Sequence, residues 1–321
     1  MEQAYKGIRV LVTGASGFIG SRLTVALVEA GAEVSAVVHS KQHVELIDSV
    51  IQKITLYEAD LGNSHEAESV VKEARPNIVF NTASSTDTRR DFSMLDSVVV
   101  GTFDVSRSVV GACITVGVQK LVHFGTIEEY GTNAAPFFET MREAPMSPYS
   151  LGKTMATHMA LLAGKLTPLK VCVLRPAATY GPGKSFTMLI PSIIKAGIER
   201  KDFDMNDGEQ LRDFVYVDDV VEGALMAGLS KDVDGEILNL GSGRGRKVRE
   251  VAEMVNFAMG NPININFGAE EYRPLDGEFF YMNSDKAFNL LHWKASTDIA
   301  DGIEKTVKWY CENYKDLSAR G

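Results

Sequence analysis

The sequence predicts an α/β protein with a doubly wound parallel sheet and a smaller C-terminal part. Three observations lead there. Short β-branched runs alternate with amphipathic stretches from Ile8 onward, the first run breaks into a glycine-rich turn, and after Pro176 the texture shifts to Gly- and Pro-bearing loops with short apolar segments. Alternating strand and helix signals specify a parallel sheet covered by helices on both faces.

Taken in order, IRVLVTG reads as the first strand and FIGSRLTVALVEAG as the helix after it, because its apolar residues recur at helical spacing. EVSAVVHS is the second strand, and ITLYEAD, NIVFNTAS, KLVHFGT and KVCVLRPA supply the rest. Beyond them lie YGPGKS, the apolar helix LIPSIIKAGI, a charged loop KDFDMNDGEQLRDF and the segment INFGAEEYRPLDGE. These later pieces are expected over the carboxyl ends of the strands, where open α/β sheets bind ligands. No internal repeat, low-complexity tract or interdomain linker interrupts the pattern.

Of 321 residues, 45% are hydrophobic and 23% charged, enough to bury a large core. A net charge of -9 offers no basic face to nucleic acid or an anionic membrane, so a small-molecule partner is expected. Cys113, Cys172 and Cys311 are odd in number and widely spaced, which favours free thiols over disulfides or a metal site. MEQAYKGIRV shows no signal pattern, and no apolar run of the roughly 18 residues a spanning helix needs is evident. A cytoplasmic protein is expected.

Gly14-Ala-Ser16-Gly17-Phe18-Ile19-Gly20 joins the first strand to its helix as a G-x-x-G-x-x-G turn. Glycines at this spacing allow a tight turn, bring backbone amides up to a pyrophosphate at the positive helix end, and permit close helix–strand packing. The second strand ends in Val38, His39, Ser40 and Lys41, where NAD-binding chains carry a carboxylate for the ribose hydroxyls. A hydroxyl and cations suit a 2′-phosphate, so NADP is expected, with NAD as the alternative. Taken alone, His39 and Lys41 also read as solvated loop residues.

Downstream, Tyr149-Ser-Leu-Gly-Lys153 lies on an expected helix after APMSP, and residues four apart share a helix face. The Lys153 ammonium is then expected beside the Tyr149 phenol, lowering its pKa. With the glycine turn and Thr126 at the end of an intervening strand, the chain resembles the extended short-chain dehydrogenase/reductases, specifically the nucleotide-sugar epimerase/dehydratase/reductase family. VTGASGFIG, Asp60-Leu61, Gly101-Thr102, YSLGK, LRPAATYGPG, DGEQLRDFVYVDDVV, LNLGSG and YRP carry the resemblance across nearly the whole chain.

The resemblance implies a Rossmann fold over residues 1–176, with a segment near 213–242 returning to it, and a mainly substrate-binding part over 177–321. It makes Tyr149 the acid/base, Lys153 the ribose ligand, Thr126 the partner of the substrate oxygen, Asp60 and Leu61 adenine contacts, and Arg212 and Arg273 the diphosphate ligands of a nucleotide-diphosphate-sugar. It also implies a homodimer paired through VVVGTFDVSRSVVGACITVG and YSLGKTMATHMALLAG. Two positions depart from the family pattern: Val98 and Ala178 stand where relatives carry asparagines.

The family shares one hydride machine among several reactions. Glu128, in FGTIEEYG, matches the dehydratase base, whereas Ile127 stands where some dehydratases carry a second acid. IEEYG and PMSPY also match 4-keto-6-deoxy-sugar reductases. The order of expectation is therefore reductase, then 4,6-dehydratase with Glu128 as base, then 4-epimerase; a non-catalytic NADP-binding sensor is the reading from another class. Glu128 is expected to face the sugar and Glu129 to point away, from alternation at a strand end.

Overall fold

The protein is described from a computed structural model covering residues 3–85, 87–272, 275 and 277–318. In the first half, β1 (Arg9–Thr13), α1 (Phe18–Glu29), β2 (Glu33–Val38), β3 (Thr55–Glu58), α2 (Ser64–Ala74), β4 (Ile78–Asn81), α3 (Leu95–Val99), α4 (Val105–Val116), β5 (Lys120–Phe124), α5 (Pro148–Leu166) and β6 (Lys170–Pro176) follow one another. The second half holds β7 (Ala178–Tyr180), α6 (Leu189–Glu199), β8 (Phe203–Met205), β9 (Leu211–Tyr216), α7 (Val217–Leu229), β10 (Ile237–Leu240), β11 (Gly245–Lys247), α8 (Val248–Ala258), β12 (Ile265–Phe267), β13 (Phe279–Phe280), α9 (Asp285–Leu291) and α10 (Ile299–Ser318).

A 7-stranded sheet runs β10-β6-β5-β4-β1-β2-β3, and every pairing in it is parallel. Its order reverses between β1 and β4, which creates the switch-point crevice at the carboxyl ends. Central strands read as continuous apolar runs because both faces are covered: all of KLVHF in β5 is buried. On one face Val10, Val12, Phe80, Val122 and Phe124 pack with Leu23, Leu27, Val220 and Ala224 of α1 and α7. On the other, Leu11, Val79, Leu121 and Val171 meet Val70, Val109 and Ala160 of α2, α4 and α5. Each such side chain contributes about 1.5–3 kcal/mol by leaving water.

A third core joins Ile193, Ile194, Val251, Val255 and Ile303 of α6, α8 and α10 beneath the small β7–β9–β11–β13 sheet. Buried Asp213 ties the two parts together. Its carboxylate accepts from Ser242 N (2.8 Å), Ser242 Oγ (2.6 Å) and Gly243 N (3.1 Å) after β10.

Several expectations change. The charged loop KDFDMNDGEQLRDF contains β8 and the start of β9, because Phe203 and Met205 join the third core. The chain rejoins the large sheet through α7 and β10, after β9 has paired with β7, β11 and β13. VVVGTFDVSRSVVGACITVG widens into a π turn at Val100–Asp104. The helical run Phe92–Val116 is, by length and composition, long and apolar enough to cross a bilayer, contrary to the sequence reading. Its buried side chains, Val98, Val109, Val110 and Cys113 among them, belong to the protein interior.

Candidate active site and cofactor cleft

The glycine turn is shaped by close approach. Gly14 has φ +65, and a Cβ there would lie 2.9 Å from Ala83 Cα. At Gly20 a Cβ would lie 2.1 Å from the Gly14 carbonyl oxygen. Gly17 is the N-cap of α1 with extended backbone; no side chain caps the first-turn amides, and no acid lies in that turn. Ser16, Phe18 and Ile19 are half-buried around it. Backbone donors at a positive helix end with no competing carboxylate fit a dinucleotide pyrophosphate.

After β2, His39 and Lys41 are exposed and Ser40 is half-buried. No carboxylate stands at Val38–Lys41, the end of this strand, yet one arrives from β3. Glu58 pairs in register with Val38, and its Oε2 accepts from Lys41 N at 3.3 Å. Sequence reasoning missed Glu58 because its place beside Lys41 follows from strand pairing. Asp60 is exposed, with Oδ1 accepting from Gly62 N at 2.9 Å; Leu61 is buried.

The PMSPY segment builds the start of α5. Ser147 caps the helix, its Oγ accepting from Ser150 N at 3.1 Å, while Ser150 Oγ accepts from Ser147 N at 3.0 Å and Pro148 occupies the first turn. At Gly152 the helix passes so close to the π turn that a Cβ would lie 3.1 Å from Thr102 Cβ. Tyr149 and Lys153 then project to the carboxyl end of β5. The Thr126 side chain acts on the Tyr149 phenol and favours its ionised form. Lys153 donates to the Phe124 carbonyl at 2.8 Å, with Nζ 5.9 Å from the Tyr149 ring centroid.

Burial pulls Lys153 down to about 8, with the Glu129 charge opposing. Burial, reinforced by Glu128 and Glu129, instead raises Tyr149 above its ordinary range; the Thr126 side chain only partly offsets this. Lys153, expected to lower the phenol, is not among the groups that shift it.

FGTIEEYG is not a strand end. β5 stops at Phe124, and Ile127–Glu129 form a 3-10 turn closed by a capping box: Thr126 Oγ1 accepts from Glu128 N at 3.3 Å, and Glu129 Oε1 accepts from Thr126 N at 2.9 Å. The two acids diverge because successive residues of such a turn point in different directions. Glu129 is fully buried against Arg175, Nη2 to Oε2 at 2.7 Å. Glu128 is half-buried, and its charge acts on both Tyr149 and Lys184. Gly131 closes the segment at φ +55, where a Cβ would lie 1.6 Å from the Ala144 carbonyl oxygen.

Arg212, on β9, donates to the Leu211 and Gly277 carbonyls, both at 2.8 Å, and its guanidinium lies 5.5 Å from the Phe280 ring centroid. Arg273 lies outside the described residues. Beside the strand of Arg212, a cleft of about 470 Å³ is lined by Arg244, Arg246, Glu250 and Tyr281; the signal passed over in sequence was the GRGRK run. Val98 is buried on α3, and Ala178 opens β7 half-buried.

The model of the NAD dependent epimerase/dehydratase family matches residues 10–241. A UDP-glucose 4-epimerase of Mycolicibacterium smegmatis is 30% identical, over 94% of this chain and 98% of its own. A dTDP-D-glucose 4,6-dehydratase of Mus musculus is 28% identical, over 95% and 89% respectively. The solved UDP-glucose 4-epimerase of Thermotoga maritima, with UDP-glucose, superposes with a TM-score of 0.89 at 26% identity, over 95% of this chain and 99% of its own. Glycine turn, strand order and tyrosine–lysine helix all agree with that likeness: the chain belongs to the NAD-dependent epimerase/dehydratase family.

Proposed function

We propose that this protein transfers hydride between a nicotinamide cofactor and C4 of a nucleotide-diphosphate sugar, with Tyr149 exchanging the proton at the sugar oxygen. The observation behind this reading is the convergence of Thr126, Tyr149 and Lys153, one helical turn beyond Tyr149 and donating to the Phe124 carbonyl, at the same sheet edge as the glycine turn. Bound there, NAD(P) supplies or accepts the hydride. Thr126 holds the sugar oxygen, Tyr149 gives or takes its proton, and Lys153 holds the ribose. Arg212 and Arg273 grip the diphosphate through planar guanidinium groups.

Keto reduction of a 4-keto-6-deoxy sugar is the first reading. Ile127, buried beside Glu128, stands where some dehydratases carry the second acid that eliminates the C6 hydroxyl; Glu128 then orients a sugar hydroxyl. A 4-epimerase is the second reading, favoured by the 4-epimerases among the matched relatives. NADP is preferred through His39, Ser40 and Lys41. Leu151, Met155, Leu162 and Leu166, exposed along α5, and Ile114, exposed on α4, support a homodimer; light scattering at micromolar concentration checks it. Cytoplasmic residence belongs to the same reading.

The test incubates the protein with each reduced cofactor and 4-keto-6-deoxy sugar nucleotides, and with each oxidised cofactor and nucleotide-hexoses. Stoichiometric loss of the nicotinamide absorbance with a 4-hydroxy product supports the reductase. C4 interconversion without net cofactor change identifies an epimerase, and a 4-keto-6-deoxy product a dehydratase. Wild-type turnover by Tyr149→Phe would overturn the shared chemistry.

A further inference from the structure

We propose that Glu129 and Arg175 form a buried positioning pair, which holds the Thr126 turn against α5 and supplies the fixed negative charge that Lys153 and Tyr149 work beside. The proposal rests on the reading of Tyr149, Lys153 and Thr126 as the reacting set.

Three separate elements meet at the one Glu129 carboxylate. From β6, Arg175 donates through Nε (3.0 Å) and Nη2 (2.7 Å) to Oε2. The turn itself donates through Thr126 N, at 2.9 Å, to Oε1. From α5, Thr157 Oγ1 donates to the same oxygen at 3.2 Å. Thr157 is four residues beyond Lys153 and so shares its helix face. Both charged side chains are fully buried.

Gly125 is part of the arrangement, because a Cβ there would lie 2.2 Å from Glu129 Oε1 and 3.2 Å from Arg175 Cγ. Arg175 is itself seated: Nη2 donates to Glu143 Oε1 at 2.6 Å, and the guanidinium lies 4.6 Å from the Tyr130 ring centroid. Tyr130 is anchored in turn, its hydroxyl donating to Asn239 Oδ1 at 2.7 Å.

A dry carboxylate with every bond assigned is an oriented charge that solvent does not screen. It favours the Lys153 ammonium, which burial disfavours, and opposes ionisation of Tyr149. Facing Lys153 besides Glu129 are Tyr149 from α5 and His123 from β5. Burial holds His123 near 3, so it stays neutral across the range of interest. Glu129 meets Arg175, which also faces Glu143 and Tyr130; Glu139 acts on Tyr130, and Glu128 shares the turn of Glu129. Glu129 and Glu128 both act on Tyr149, but only Glu129 is among the causes that move Lys153.

Glu129→Gln tests this, because it keeps an acceptor for Thr126 and Thr157 and removes the charge. Removing it lowers both Lys153 and Tyr149. The pH at which NADH and NADPH affinity falls, and the corresponding limb of the rate profile, should move about one pH unit lower, with kcat down at least roughly tenfold. A merely structural pair would cost melting temperature and leave both pH positions unmoved; that outcome overturns the proposal.

Should Glu129→Gln fail to fold, the double variant Glu129→Met/Arg175→Met replaces the pair with apolar groups, an exchange buried pairs often tolerate. It should fold and show the same displacement; a folded double variant with wild-type pH positions, or failure of both variants to fold, sinks the idea. Active Tyr149→Phe would instead refute the site reading. Inactive Tyr149→Phe beside unmoved Glu129→Gln refutes only the pair.

Discussion

The ammonium of Lys184 lies 5.1 Å from the centroid of the Phe18 ring, joining the loop after β7 to the first residue of α1. The ammonium also donates to the Thr179 carbonyl, and Tyr310 OH donates to the Lys184 carbonyl oxygen. The loop is thus tied at once to the cofactor turn and to α10. Burial pulls Lys184 down to about 8, with the charge of Glu128 opposing.

Lys184→Met keeps the apolar stem and removes the charge. Expected is a loss of cofactor affinity of about 1 kcal/mol, roughly fivefold in Kd, from the lost cation–ring contact. Fluorescence titration with NADH and NADPH measures it. Unchanged affinity for both cofactors would show that the loop does not share in the cofactor site.

Gly20→Ala should be far more severe. The new methyl group would lie 2.1 Å from the Gly14 carbonyl oxygen and 2.7 Å from Thr82 Oγ1. Thr82 in turn donates to the Thr13 carbonyl at 2.5 Å, so it cannot yield without disturbing the end of β1. Overpacking of this kind costs about 1–3 kcal/mol of stability. Cofactor affinity should fall by more than tenfold while circular dichroism remains native; retention of affinity would contradict a pyrophosphate seat at this turn.

This turn was legible in the sequence because sterics at Gly14 and Gly20 admit little else, and a strand and a helix flank it closely. Tyr149 and Lys153 were legible for the same local reason, four residues apart on one helix. What escaped were relations created by strand pairing and long-range packing. Glu58 reaches Lys41 only because β3 lies beside β2. Arg175 meets Glu129 across 46 residues, and nothing in LRPAA marks it as the partner of an acid in IEEYG. Strand alternation alone would also separate Glu128 from Glu129, but it is a capped 3-10 turn that does so.

Cofactor choice follows from the Glu58 relation. On the NADP reading proposed above, Lys41 and Ser40 hold the 2′-phosphate, yet the Glu58 carboxylate lies at the backbone of Lys41. NADPH should bind more tightly than NADH, and Glu58→Gln should widen the preference by up to about tenfold, since a nearby carboxylate repels the added phosphate. Lys41→Asp should narrow or invert it. Isothermal titration with both cofactors on the three proteins decides this: a wild type that prefers NADH, and becomes less selective in Glu58→Gln, would make Glu58 the ribose acid.

His123 gives a stability prediction. Thr13 Oγ1 donates to Asn81 Oδ1 at 2.7 Å, so the Asn81 amide nitrogen donates to His123 Nδ1 at 3.1 Å. The imidazole proton is therefore on Nε2, which has no hydrogen-bond partner among the described residues. Burial, helped by the Lys153 charge, lowers His123 from 6.5 to about 3. In the unfolded chain it binds a proton below about 6.5, whereas in the folded protein it does not until about 3. Unfolding therefore takes up a proton in that window, and stability falls as the pH drops through it, by about 1.4 kcal/mol per unit. His123→Gln offers Asn81 an acceptor without titrating. Between pH 7 and 4.5 the wild type should lose about 2–3 kcal/mol more than this variant, read from urea unfolding at each pH. Parallel losses in the two proteins would mean that His123 titrates alike in the folded and unfolded chains.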